Sequence, residues 1–292
     1  MKRKILISFS GGETSGFMAQ WCKNHYINDE LVFVFANTGE ENEETLRFVD
    51  QCDKLFNLHL VWVEALVDSE MGIGTTYKIV DFETASRNGE PFEQVIAKYG
   101  IPNLKFPHCN RELKLRPIHS YIKSLGWKDY YTCIGIRNDE IDRVSKDRKK
   151  NKILYPLVSE VPMTKAKINF WWSQQPFRLN LTGYQGNCKT CWKKSFNNLY
   201  TIANENPQYF EFNQRMEDKY SNMIIKDRTN NADNYTFFRG GKSTKQILDE
   251  AKNFNKKVKD ANENVNYQMD IYDIINDEQS SCDIYAECGL DN

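Results

Sequence analysis

Lys4-Ile5-Leu6-Ile7-Ser8-Phe9-Ser10-Gly11-Gly12-Glu13-Thr14-Ser15-Gly16 is the stretch whose reading decides the fold. Its short apolar run suits a buried parallel strand, and Phe17, Met18 and Trp21 then recur at helical spacing. Two adjacent glycines stand between strand and helix. They permit positive φ and close backbone approach, so successive N–H groups can wrap an anion at the positive end of the helix. Ser10 and Ser15 add hydroxyl donors. The spacing is not Gly-x-x-x-x-Gly-Lys-Ser/Thr, which sets aside an ordinary Walker A site, and a plain tight turn is the alternative for the glycine pair.

Working outward, Leu31 to Ala36 reads as a second buried strand, followed by Asn37-Thr38-Gly39-Glu40 and a helix from Glu43 to Phe56 whose first turn is acidic. In a doubly wound sheet, ligands sit where strand ends meet helix starts, so Thr38 and Gly39 are expected to face the same crevice as Gly11 and Gly12, or else to serve as a helix cap. Leu58 to Val63 reads as a third strand. Residues 68–106 read as a long loop with a short helix at Phe92 to Lys98, forming a flap or a surface insertion. Arg111, Lys114 and Arg116 lie within two turns of a helix running to Ser124. They form either a solvated face or an oxyanion clamp. Tyr130 to Ile136 reads as a strand ending in Gly135-Ile136-Arg137-Asn138-Asp139-Glu140, with Arg143 just beyond, and simple pairing of Arg137 with Asp139 or Glu140 is the alternative to a ligand-binding role. The basic run Lys146 to Lys152 is a solvated loop or a guide for an anionic substrate, and Trp171 and Trp172 read as packing residues.

The chain has 292 residues, is 40% hydrophobic and carries a formal net charge of −1. That size suits one large α/β domain or a domain with an appendage, and the balanced charge gives no global field toward nucleic acid or membrane. No apolar run of membrane-spanning length and no charged-then-apolar leader is evident, so a soluble, cytoplasmic protein is expected. Eight cysteines in a reducing compartment read as thiols or ligands rather than as a disulfide framework. Cys188 and Cys191 form a Cys-x-x-Cys pair that can share a metal or an iron–sulfur site, cycle as a redox pair, or simply pack. A [4Fe–4S] cluster needs four ligands; Cys109 offers a third, and Cys282 or Cys288 a fourth. Beyond Ser195 the chain reads as helical and polar, with Ser243 as an N-cap of a helix ending near Lys259. From Val265 onward every charged residue is acidic, which reads as a solvated tail.

The Ser10-Gly11-Gly12-Glu13-Thr14-Ser15 loop resembles the SGGxxS loop of the adenine-nucleotide α-hydrolase (PP-loop) superfamily, which holds the N-type ATP pyrophosphatases and the phosphoadenosine phosphosulfate (PAPS) reductases. Thr14 stands where many members have Asp. Thr38-Gly39 with Glu44-Thr45 resembles the reductases' "TG…ET" segment, and His108-Cys109-Asn110-Arg111 resembles their paired-cysteine region, with His108 in place of the first cysteine. Gly135-x-Arg137 through Arg143 is similar to the family's nucleotide-contacting arginine element. Gly183-Tyr184 with Cys188-x-x-Cys191 is similar to the cluster segment of adenylyl sulfate reductases and of PAPS-reductase-like proteins of phages and DNA-modification systems. Glu287-Cys288-Gly289-Leu290 resembles the reductases' C-terminal catalytic motif, with Asp291 in place of histidine.

The resemblance implies a doubly wound parallel sheet of the α-hydrolase type over residues 1–196 and a helical, polar region with an acidic tail over residues 197–292. It implies nucleotide binding by Ser10, Gly11, Gly12, Ser15, Thr38, Gly39, Arg111, Lys114, Arg137 and Arg143. Cys288 would be the nucleophile, and Cys109, Cys188, Cys191 and Cys282 the ligands of a [4Fe–4S] cluster. The implied activity is reduction of PAPS or adenylyl sulfate to sulfite, with thioredoxin or a similar thiol as partner. Two alternatives accompany it. One is a Mg-dependent ATP pyrophosphatase or sulfurtransferase acting on a nucleic acid or metabolite; the other is a nucleotide-binding protein without turnover.

Overall fold

A computed structural model describes residues 2–104, 106–223, 235–256 and 258–262. The strands are Lys4–Phe9 (β1), Glu30–Asn37 (β2), Val61–Leu66 (β3), Thr76–Val80 (β4), Tyr131–Cys133 (β5) and Ile153–Leu154 (β6). The α-helices in chain order are Glu13–His25 (α1), Glu43–Phe56 (α2), Glu90–Tyr99 (α3), Arg116–Ser124 (α4), Pro156–Ser159 (α5), Lys165–Ser173 (α6), Phe196–Glu205 (α7), Glu211–Tyr220 (α8) and Thr244–Ala251 (α9).

The strands form one mixed sheet in the order β4-β3-β2-β1-β5-β6, parallel except for β4, which runs antiparallel to β3. From β1 the chain steps outward to β2 and β3, then returns past β1 to β5. Neighbouring connections therefore leave β1 toward opposite directions at the β1–β5 boundary, which opens a crevice beyond their carboxyl ends.

Strand alternation explains why both faces are covered. Ile5, Ile7 and Phe9 of β1 join Phe17 and Met18 of α1, Phe48 and Val49 of α2, and Ile168 and Trp172 of α6 in one core. Leu6, between them, packs on the other face with Val34, Val63, and Ile118 and Ile122 of α4. A further core joins Phe92, Val95 and Ile96 of α3 and Leu113 to Leu199 and Ile202 of α7, Phe212 and Met216 of α8, and Ile247 of α9. The C-terminal helices thus pack directly on the α3 region.

Several segments depart from the sequence-based expectation. β3 starts at Val61 rather than Leu58 because Asn57 and His59 both take left-handed φ, 50° and 54°. The segment 68–106 is not only loop and helix: it contains β4, paired from Trp62↔Val80 to Leu66↔Thr76. Ladder pairing within 130–136 is confined to Tyr131–Cys133, and α9 ends at Ala251 rather than near Lys259. Ser243 caps α9 as expected, its hydroxyl accepting from the Gln246 N–H at 3.3 Å.

Candidate functional site

The crevice beyond β1 and β5 is a cleft of about 200 Å³. Its floor is the Ser10–Ser15 loop at the N-terminus of α1. Gly11 makes the turn at φ +87°, and a Cβ there would lie 2.7 Å from Thr45 Cγ2 and 3.2 Å from the Phe35 ring. Only glycine suits both demands. The Ser15 hydroxyl pins the loop, accepting from the Ser10 N–H at 3.2 Å and donating to the Gly12 carbonyl at 2.8 Å. The N–H groups of the first helical turn have no intrahelical acceptors, so they and the helix dipole favour an anion here.

One wall comes from the chain leaving β5. Gly135 approaches α1 so closely that a Cβ would meet Ser15 Cα at 3.4 Å. Arg137 follows, its guanidinium donating to Thr14 Oγ1 at 3.4 Å and pairing with Asp139 at 2.9 Å and Glu140 at 3.3 Å. Arg143 also pairs with Glu140. The rest of the wall carries Lys165 at the start of α6, Lys193, Lys194 and Cys191. Lys194 ties this wall together, donating to the Tyr184 carbonyl at 2.8 Å.

Charge in the cleft is unbalanced toward the positive. Arg137, Arg143, Lys165, Lys193 and Lys194 line it against two carboxylates, Glu13 and Glu140. Glu13 is buried and held by Arg178 at 3.0 and 3.2 Å, while its carbonyl accepts from the Trp172 indole at 2.8 Å. Lys165 is placed from both ends: its N–H donates to Asp139 at 3.0 Å and its ammonium to the Asn262 carboxamide. Burial draws the Lys165 ammonium down to about 8, with Glu13 opposing and Arg137 and Arg178 reinforcing the shift.

A second, smaller cavity of about 30 Å³ lies behind the Cys-x-x-Cys turn. Phe92, Leu113, Trp192, Phe212 and Phe237 make it apolar, and Cys109, Cys188 and Cys191 all line it. Thr38 Oγ1 lies 3.5 Å from Cys188 Sγ, and Glu41 forms an isolated bridge with Cys188. Glu40, also on this cavity, has its carboxyl pushed up to about 8 by burial. The thiol set suits a soft metal centre in its chemistry. Among the described residues, however, no group of three or more His, Cys, Asp or Glu side chains is arranged to hold a metal ion. Three of the four expected cluster ligands line this cavity, and the fourth, Cys282, lies outside the described residues.

The expected residues therefore divide. Ser10, Gly11, Gly12, Ser15, Arg137 and Arg143 meet in the cleft. Thr38 and Lys114 line the second cavity instead, with Cys109 and Cys188, and Cys191 borders both spaces. Arg111 and Gly39 line neither; Arg111 pairs with Glu112 at 2.8 Å, and Gly39, at φ +83°, packs against Gly89. Cys282 and Cys288 lie outside the described residues. Sequence reading missed Glu13, Lys165, Arg178, Lys193, Lys194 and Asn262. The Lys193-Lys194 pair beside Cys191 was visible as a motif, whereas Lys165 and Arg178 are single cations that only the fold brings to the loop. Among the described residues, no helix is long and apolar enough to cross a membrane.

The chain is similar to a phage protein. It is 34% identical over 196 residues to the uncharacterized nin region protein ORF290 of Escherichia phage lambda, a match covering 65% of this chain and 66% of that protein. Two uncharacterized proteins of Methanocaldococcus jannaschii also match, at 23% identity over 59% of this chain and 29% over 51%. The matched region spans just under two thirds of the phage protein and 30% of each archaeal one. No family model matches the chain.

Proposed function

We propose that the protein is a PAPS-reductase-type enzyme, built on a sheet of the adenine-nucleotide α-hydrolase kind, that reduces the sulfonate of an adenine nucleotide to sulfite. The observation that carries this reading is the single cleft in which the Gly11-Gly12 loop, five cationic side chains and the Cys191 thiol converge. The loop N–H groups and the Ser10 hydroxyl would hold the phosphosulfate oxygens, and Arg137, Arg143 and Lys165 would neutralise them. The acidic residue of the loop favours this ligand over Mg·ATP, because Glu13 is already engaged by Arg178 and leaves no unpaired carboxylate on the loop for a divalent cation.

In this reading the Cys288 thiolate attacks the sulfonate sulfur. The sulfur–oxygen bond breaks, its electron pair leaves on the nucleotide phosphate, and S-sulfocysteine remains. A dithiol donor of the thioredoxin kind then attacks the Cys288 sulfur. Sulfite departs with the S–S electron pair, and the donor's second thiol closes its own disulfide, so two thiols are oxidised as sulfate falls to the level of sulfite.

The test is intact-protein mass spectrometry with peptide mapping after anaerobic mixing with PAPS or adenylyl sulfate. One sulfonate adduct on Cys288, lost in Cys288→Ser together with sulfite release, is the expected result. A folded, nucleotide-binding protein that forms no adduct, or a Cys288→Ser variant that still yields sulfite, would overturn the proposal.

A further inference from the structure

Lys165 stands apart from the arginines around the cleft. Arg137, Arg143 and Arg178 each have a carboxylate partner, and Lys194 donates to carbonyls. The Lys165 ammonium has a hydrogen bond to the neutral Asn262 carboxamide and, among the described residues, no ion pair. It is nevertheless fixed in position, with its backbone N–H on Asp139 Oδ2 at 3.0 Å and the Thr164 cap behind it. Asn262 is itself held, its carboxamide donating to the Leu181 carbonyl at 2.8 Å and its carbonyl accepting from Arg178 at 3.1 Å. An ammonium placed this firmly in the wall of a cleft shaped for an anion, with Glu13 and Asp260 near but no carboxylate at ion-pair distance among the described residues, has room for one more interaction, and an anionic ligand would supply it.

Resting on the nucleotide reading above, we propose that Lys165 is a direct ligand of the nucleotide's anionic group and that its protonation state sets how nucleotide affinity depends on pH. The groups facing Lys165 are Glu13 from α1, Arg137 and Asp139 from the segment after β5, Arg178 from the segment after α6, and Asp260 with Asn262 from the C-terminal segment. Arg143, Glu140, Lys193, Lys194 and Cys191 complete the cleft around it. Burial, reinforced by Arg137 and Arg178 and opposed by Glu13 and Asp260, brings the Lys165 ammonium down to about 8. A bound anion reverses that balance, so binding above neutral pH is accompanied by proton uptake.

The sign follows directly. The protonated form binds, so apparent affinity scales with the protonated fraction and falls as pH rises through 8. The fall between pH 7 and pH 9 is about tenfold. Adenylyl sulfate is the suitable probe, since its phosphosulfate does not titrate in that window.

Calorimetric titration of the full chain with adenylyl sulfate at pH 7, 8 and 9 tests the assignment, alongside Lys165→Met and Lys165→Arg. The expected result is a wild-type affinity that declines over the window. Lys165→Arg should bind within about threefold of wild type at pH 7 with a flat profile, because guanidinium stays charged throughout. Lys165→Met should bind about tenfold or more weakly, also with a flat profile. If Lys165→Arg keeps the wild-type slope, the titrating group lies elsewhere, and the Lys165 assignment falls while the nucleotide reading stands. Folded wild-type protein that does not bind adenylyl sulfate at any pH would remove the nucleotide reading, and this inference with it.

Discussion

Gly11 and Gly12 look alike in sequence and differ in what the fold asks of them. Gly11 turns at φ +87° with Thr45 and Phe35 close to where a Cβ would project, whereas nothing lies within 4 Å of a Cβ on Gly12, which has extended geometry at φ −101°. Gly11→Ala is expected to destabilise the protein by about 1–3 kcal/mol through backbone strain and overlap, and to lose nucleotide affinity because the loop N–H groups are re-aimed. Gly12→Ala should melt within a degree or two of wild type. Thermal melts paired with adenylyl sulfate titrations check both; equal losses for the two variants would show that the loop's turn is not the constraint described here.

The ion pair between Glu13 and Arg178 operates at the scale of elements, because it fastens the first turn of α1 to the chain that follows α6. Glu13 has 2% side-chain exposure and Arg178 35%, so the pair is buried on one side only. Arg178→Met leaves a buried carboxylate without its cation and is expected to cost about 3 kcal/mol in urea denaturation. Glu13→Gln in the same chain should recover most of that loss, since the double change removes both charges. Recovery of less than half would mean that Arg178 acts chiefly through its bond to the Asn262 carbonyl. Nothing in the sequence announces this contact, since its partners stand 165 positions apart. By contrast, α2 was legible to the residue: Leu46, Val49 and Cys52 repeat at helical spacing, and acidic residues open its first turn. β4 was not, because a five-residue edge strand with mostly exposed side chains acquires its identity only from pairing with β3. The Ser10–Ser15 loop and Arg137 could be read locally because each sits where a strand gives way to a helix, and Arg143 ends the short 3₁₀ helix that follows Arg137. Thr38 and Lys114 line the second cavity instead of the cleft, because sequence order does not reveal that the α3 and α7–α9 core closes a separate cavity around them.

For the molecule as a whole, a net charge of −1 conceals strong local separation. Five cations face two carboxylates in the cleft, and one of those carboxylates is already bound by a sixth cation, Arg178. Adenylyl sulfate affinity is therefore expected to fall between 50 and 500 mM sodium chloride, by about three- to tenfold for a partly shielded site, while millimolar magnesium adds nothing beyond its ionic strength. Tighter binding with magnesium would instead support the ATP-dependent alternative. The position of Asn262 has a consequence in time as well as in space. The Ser10–Ser15 loop is synthesised some 250 residues before Asn262, which fastens one wall of its cleft. At ordinary synthesis rates that interval is on the order of ten to fifty seconds. Throughout it, the nascent chain carries the Ser10–Ser15 loop without the Asn262 contacts to Lys165 and Arg178, so this wall of the cleft is completed only after residue 262 has been made.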